Sequence, residues 1–167
     1  MWPFRKKKNN RQSISHPTLG TVSKSTSPAG GYEATILFED TPLKIRIDQD
    51  DKSIEEALAF TSSVAAELKT VVREAMRIAV RDLRPVYNEG WNEYDETQPD
   101  GTTIAVENPK LSESDFEKKL TLDTISITGT ECIEIWLENS NLFWGHGTFV
   151  SCLNGLDFSE ARAEIFG

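Results

Sequence analysis

The chain has 167 residues, 38% of them hydrophobic, with 27 acidic and 18 basic side chains and a net charge of −9. That length suits one domain with a modest core, and no apolar run approaches the roughly 18 residues of a membrane span. Residues 1–24 carry six cations and no acid, so residues 25–167 hold 12 cations against 27 acids, a net of −15. A body this acidic repels nucleic acid and attracts basic protein.

Residues 1–17 read as a disordered basic segment ahead of a single α+β domain over residues 18–167. The head, Trp2-Pro3-Phe4-Arg5-Lys6-Lys7-Lys8, sets two aromatics beside four cations. Without a second anchor, Trp2, Phe4, Arg5, Lys6, Lys7 and Lys8 support at most weak membrane-surface contact. It lacks the apolar stretch and small-residue cleavage site of an export signal, so the cytoplasm is the expected location. Composition argues for flexibility as far as about Gly31, with Leu19-Gly20-Thr21-Val22 a candidate edge strand.

Residues 32–39 and 43–48 alternate apolar and polar side chains around Asp40-Thr41-Pro42, which predicts a β-hairpin. The aspartates at 48, 50 and 51 lack the alternation, central Gly and closing Glu of a calcium loop. A long amphipathic helix is then predicted over residues 53–84. It opens on Ser53-Ile54-Glu55-Glu56, a capping-box pattern, and repeats apolar residues three or four apart through Leu83. As one rod it would be roughly 45–50 Å long, longer than a compact domain of this size needs, which leaves a bend, a break or an overhang toward a partner as the alternatives, with Pro85 as its stop.

Residues 92–110 are acidic and punctuated by Pro99, Asp100-Gly101 and Pro109. They read as a long exposed excursion with at most one short strand near Ile104. Ser112 is the expected N-cap of a short helix. The last third is strand signal around Ile125, Ile133 and residues 142–153, with a final strand within residues 160–166. The whole predicts an antiparallel sheet, an N-terminal hairpin plus a C-terminal meander, packed against one long helix with one further short helix.

The most distinctive run is Leu142-Phe143-Trp144-Gly145-His146-Gly147-Thr148-Phe149-Val150. Glycines inside a strand mark a bulge or a close approach, and alternation puts Trp144, His146, Thr148 and Val150 on one face. With Trp136 on the neighbouring strand and Trp91 in the loop after the helix, Trp144 and His146 are the candidate ligand-binding residues. His146 is either a base or ligand contact in an aromatic pocket, or a structural histidine at the sheet edge. No nucleophile, orienting acid or metal-spaced set accompanies it, so no catalytic residue, metal or cofactor is assigned. Cys132 and Cys152 read as reduced, partly buried thiols.

Tyr87-Asn88-Glu89-Gly90-Trp91, the strand Leu122…Ile125-Ser126-Ile127, Leu142-Phe143-Trp144-Gly145-His146 and the closing Ala163-Glu164-Ile165-Phe166-Gly167 resemble the bacterial domain-of-unknown-function family numbered 2262, over about residues 18–167. The resemblance implies a bacterial, soluble α+β domain and no activity. Charge and the long helix lead to one functional expectation: a non-enzymatic acidic protein-binding module, immunity-like, whose partner is basic. The alternative is a small-molecule-binding or hydrolytic domain with its pocket around Trp136, Trp144 and His146.

Overall fold

A computed structural model describes residues 13–28 and 30–167 of the chain. The basic head, and any membrane contact through it, lies outside the described residues. Strands β1 (Ser13–His16) and β2 (Gly20–Lys24) open the fold. The second overlaps the candidate edge strand at residues 19–22, and Val22 is wholly buried, so within the stretch read as mostly flexible these residues are part of the sheet. Strands β3 (Tyr32–Phe38) and β4 (Thr41–Asp48) are the predicted hairpin. Its turn is Glu39-Asp40, both in the left-handed region at φ 49° and 64°, and Pro42 is already within the strand, opposite Leu37.

Helix α1 (Ile54–Ala66) starts as predicted. The Glu56 N–H donates to Ser53 Oγ at 3.2 Å, and the Ser53 N–H donates to Glu56 Oε2 at 3.0 Å. The single rod does not form. Glu67 leaves helical geometry at φ −99°, ψ 15°, and a second helix, α2 (Leu68–Val86), follows. The cause lies one turn earlier: the hydroxyls of Thr61, Ser62 and Ser63 donate back to the carbonyls of Ala57, Leu58 and Ala59. Such back-bonding competes for those acceptors and bends helices. Pro85 does not stop α2 either; it is the helix's penultimate residue. The chain continues through a wide turn, Tyr87–Trp91, in which Gly90 lies outside helical geometry and which the Asn92 N–H closes onto Tyr87 O at 3.0 Å.

Residues 92–110 hold not one strand but two, β5 (Glu93–Thr97) and β6 (Thr103–Glu107), paired as a separate hairpin. Helix α3 (Glu113–Glu117), capped by Ser112, precedes β7 (Thr121–Thr128), β8 (Cys132–Glu138), β9 (Gly147–Cys152) and β10 (Arg162–Phe166). The main sheet runs β1-β2-β3-β4-β7-β8-β9-β10. All its pairs are antiparallel except β4 with β7, which is parallel, with Ile45 opposite Ile125. The predicted antiparallel sheet is what forms apart from this one pair, where the link between the strands is long enough to cross over and carries all three helices. The fold is α+β, a large, mostly antiparallel sheet with the long helix α2 and the shorter α1 and α3. No helix among the described residues is long and apolar enough to cross a membrane.

The core lies between one sheet face and the helices. Ile45, Ile125, Ile133, Ile135 and Val150 are wholly buried, as are Val64, Ala75, Ile78 and Ala79 on α1 and α2. Alternation leaves Cys132, Glu134 and Trp136 on the other face of β8, while Cys152 points into the core opposite Ile133. The two thiols therefore face opposite ways and are unpaired. Burial raises the pKa of both.

Helix α2 also closes the β10 edge. Asp82 Oδ2 accepts the Ala163 N–H at 3.0 Å, while Arg81 donates to Ala161 O at 3.0 Å and pairs with Asp82 at 2.6 Å. Capping an edge amide removes a template for unwanted strand pairing. The Arg81 guanidinium, and then the Ala163 N–H, hold the Asp82 carboxyl below its ordinary range. A depressed carboxyl stabilises the fold above its unfolded pKa of about 3.9, and that contribution is lost as pH falls through the lower folded value. Asp82→Ala is expected to lower stability by on the order of 1 kcal/mol at pH 7. The deficit shrinks as both proteins are melted at pH values falling through the acid range; a deficit constant down to the lowest pH would contradict this role for Asp82.

Candidate functional site

The distinctive run at 142–150 folds against the Tyr87–Trp91 turn. Phe143 is wholly buried at the centre of an aromatic cluster. Its ring centroid lies 5.4 Å from Trp91, 6.3 Å from Tyr87 and 6.4 Å from Phe116, each edge-on. The wide turn after α2 supplies Tyr87 and Trp91, α3 supplies Phe116, and the β8–β9 connection supplies Phe143. Trp91 extends the cluster outward, 4.7 Å from Trp144 and 5.4 Å from His146.

Three of the four sequence-predicted site residues, Trp91, Trp144 and His146, thus meet. Trp136 is not among these ring contacts. It stacks on Phe149 at 4.8 Å, with Phe166 edge-on at 6.0 Å, on the sheet face away from the helices. Trp136 and His146 still border one depression of about 330 Å³, together with Asp123, Glu138 and Gly147.

The expected strand over residues 142–153 starts only at Gly147. Before it the chain makes successive tight turns, with Ser140, Asn141, Trp144 and Gly145 at φ 49°, 62°, 52° and 87°. Trp144 and His146 accordingly do not continue the face of Thr148 and Val150. The buried amide of Asn139 braces this connection, donating to His146 O at 2.8 Å, and Thr148 Oγ1 donates to Leu137 O at 2.8 Å. Trp144 is 49% exposed despite a backbone conformation that costs a side-chain-bearing residue about 1 kcal/mol.

Of the two glycines, Gly145 needs its positive φ, whereas a Cβ at Gly147 would only touch the Trp136 ring at an ordinary 3.6 Å. The Gly167 backbone closes on His146 so tightly that a Cβ there would fall 2.5 Å from Nδ1. Among the described residues no carboxylate is hydrogen-bonded to His146, and no three His, Cys, Asp or Glu side chains converge as metal ligands.

Sequence reading missed the hairpin β5–β6. Between Arg84 and Lys110 the chain has six acids (Glu89, Glu93, Asp95, Glu96, Asp100 and Glu107) and no cation. Among the described residues none of these six takes part in an ion pair. The foot of the hairpin is fixed. Asn88 donates to Leu111 O at 3.0 Å and accepts its N–H at 2.8 Å; Asn92 donates to Asn108 O at 2.9 Å and accepts its N–H at 2.7 Å. Beyond the foot the arm is exposed, except for half-buried Gln98 and Val106. At its tip the Thr102 hydroxyl and N–H hold the Asp100 carboxyl below its usual range.

Tyr94 meets Trp144 edge-on at 6.3 Å, which joins the arm to the aromatic cluster over a groove of about 460 Å³ lined by Trp91, Pro109 and Leu142. The available signal was the Asp100-Gly101 turn flanked by Tyr94 and Ile104-Ala105-Val106; the acids between them obscured the strand pattern.

No curated protein and no solved structure matches the chain. The model of a family described as "Uncharacterized protein conserved in bacteria (DUF2262)" matches residues 16–161, which takes in the aromatic cluster and the acidic arm, and the chain belongs to that family.

Proposed function

We propose that the protein is a non-enzymatic, acidic protein-binding module, immunity-like in that it engages and covers a basic protein in the bacterial cytoplasm. The observation that carries this reading is the segregation of charge: −15 over residues 25–167, with six uncompensated acids concentrated between Arg84 and Lys110. Two unpaired thiols with raised pKa values suit a reducing compartment. The test is affinity capture from native-host lysate at low salt, with a tag at the C-terminus. A stoichiometric basic protein released by salt is expected; an empty capture would remove the reading.

One observation favours a second reading, a small polar ligand in the depression between Trp136 and His146. The Trp136 Nε1–H is buried without an acceptor, and a buried donor left unpaired costs about 1–3 kcal/mol, which a ligand oxygen would recover. Full function in vivo of His146→Ala and Trp136→Phe would eliminate this alternative.

A further inference from the structure

Resting on the protein-binding reading, we propose that the arm β5–β6 is the docking element, and that it takes an extended segment of the partner as a third strand. The segment it fits alternates basic and apolar residues.

The arm is a two-stranded sheet, so each strand has an open edge. The Asn108 N–H donates to Asn92 O and the Gln98 N–H to Thr102 O. Antiparallel alternation then turns the amides of Glu93, Asp95 and Thr97 outward on one edge, and those of Thr103, Ala105 and Glu107 outward on the other. Unpaired edge amides are a template for strand addition.

The two faces differ. Glu93 sits opposite Glu107, and Asp95 opposite Ala105, on an acidic face. Tyr94 sits opposite Val106, and Glu96 opposite Ile104, on the other, where Tyr94 and Ile104 are 38% and 47% exposed. An added strand sends successive side chains to alternate faces. Lysine or arginine at every second position would meet Glu93, Asp95 and Glu107, while the residues between would extend the row Tyr94, Ile104 and Val106 toward Trp144. Glu93 directly across from Glu107 is repulsive in the free arm, and incoming cations relieve it. The same charges disfavour pairing with the arm of a second copy. The run Arg5-Lys6-Lys7-Lys8 does not alternate, so the chain's own head fits poorly.

The test is NMR on the isotope-labelled intact chain at low salt, titrated with a short peptide alternating Lys and Val. The control peptide has the same composition, with its lysines and valines in separate blocks. Saturable shifts and slowed amide exchange are expected along one arm edge, at Glu93, Asp95 and Thr97 or at Thr103, Ala105 and Glu107. The block peptide, and the Glu93→Lys/Asp95→Lys double variant, are expected to bind about tenfold more weakly.

Equal affinity for both peptides, shifts spread over the acidic surface, or no saturation overturns the proposal. So do arm signals that move when Arg5, Lys6, Lys7 and Lys8 are all replaced by Ser, which would make the chain's own head the occupant. Capture with and without the two reversals separates this proposal from the reading beneath it. Equal capture by both chains keeps the module and overturns the arm; no capture by the unaltered chain overturns the module itself.

Discussion

Phe143→Ala is expected to lower stability by about 3–5 kcal/mol, the range for emptying a fully buried aromatic site. Phe143 has no exposed surface and touches Tyr87 and Trp91 of the wide turn and Phe116 of α3, so its cluster joins three segments, its own included. Those segments close the end of α2, seat α3 and shape the β8–β9 connection, so the void cannot collapse by moving one of them alone. Edge-on ring contacts add about 0.5–1.5 kcal/mol each beyond buried area. Urea unfolding followed by far-ultraviolet circular dichroism gives the loss directly. Tryptophan emission should shift red at the same time, because Trp91 and through it Trp144 lose their support. A cost below about 1 kcal/mol would contradict the central place given to Phe143.

Asn88→Ala is the second large effect, at about 2 kcal/mol. One amide group makes a matched pair of bonds to the Leu111 N–H and C=O, 23 residues away, in a partly buried position. Truncation leaves both backbone groups without partners where water reaches them poorly. The damage should be local: the arm and residues 108–111 loosen, and their amides exchange faster, while β7 to β10 keep their protection. Loss of protection throughout the sheet would mean that Asn88 supports the body rather than the foot of the arm.

The sequence made the body legible because burial there follows a period. Leu43, Ile45 and Ile47 alternate on β4, Ile133, Ile135 and Leu137 on β8, and all six are buried. Ser53 with Glu56 marked the helix start because a capping box is a local interaction. The break at Glu67 was not legible, since the apolar period runs straight through it and only the Thr61-Ser62-Ser63 hydroxyls betray the bend. The parallel β4–β7 pair depends on a crossover of some seventy residues, beyond the reach of local pattern.

At the site, alternation failed for Trp144 and His146 because both lie in turns in which Ser140, Asn141 and Trp144 take left-handed conformations. Trp91, Trp144 and His146 do converge, but through the wide turn after Pro85 rather than along a strand. The arm was hidden for a different reason. Its strands bury almost nothing, so they lack the apolar alternation by which strands are recognised.

That lack of burial is also why the arm invites a functional reading. An isolated two-stranded hairpin is marginal in water, and this one carries opposed glutamates and exposed Tyr94 and Ile104 while its foot is held by Asn88 and Asn92. A fixed foot and a free blade suit capture of an extended chain.

The most direct test of the account is the salt dependence of association between the intact chain and the basic partner proposed for it, measured by stopped-flow tryptophan fluorescence. Steering by an acidic surface predicts an association rate that falls steeply as ionic strength rises, with dissociation changing little. An association rate indifferent to salt would show that the partner does not read the acidic charge, and the assignment of this surface would be wrong.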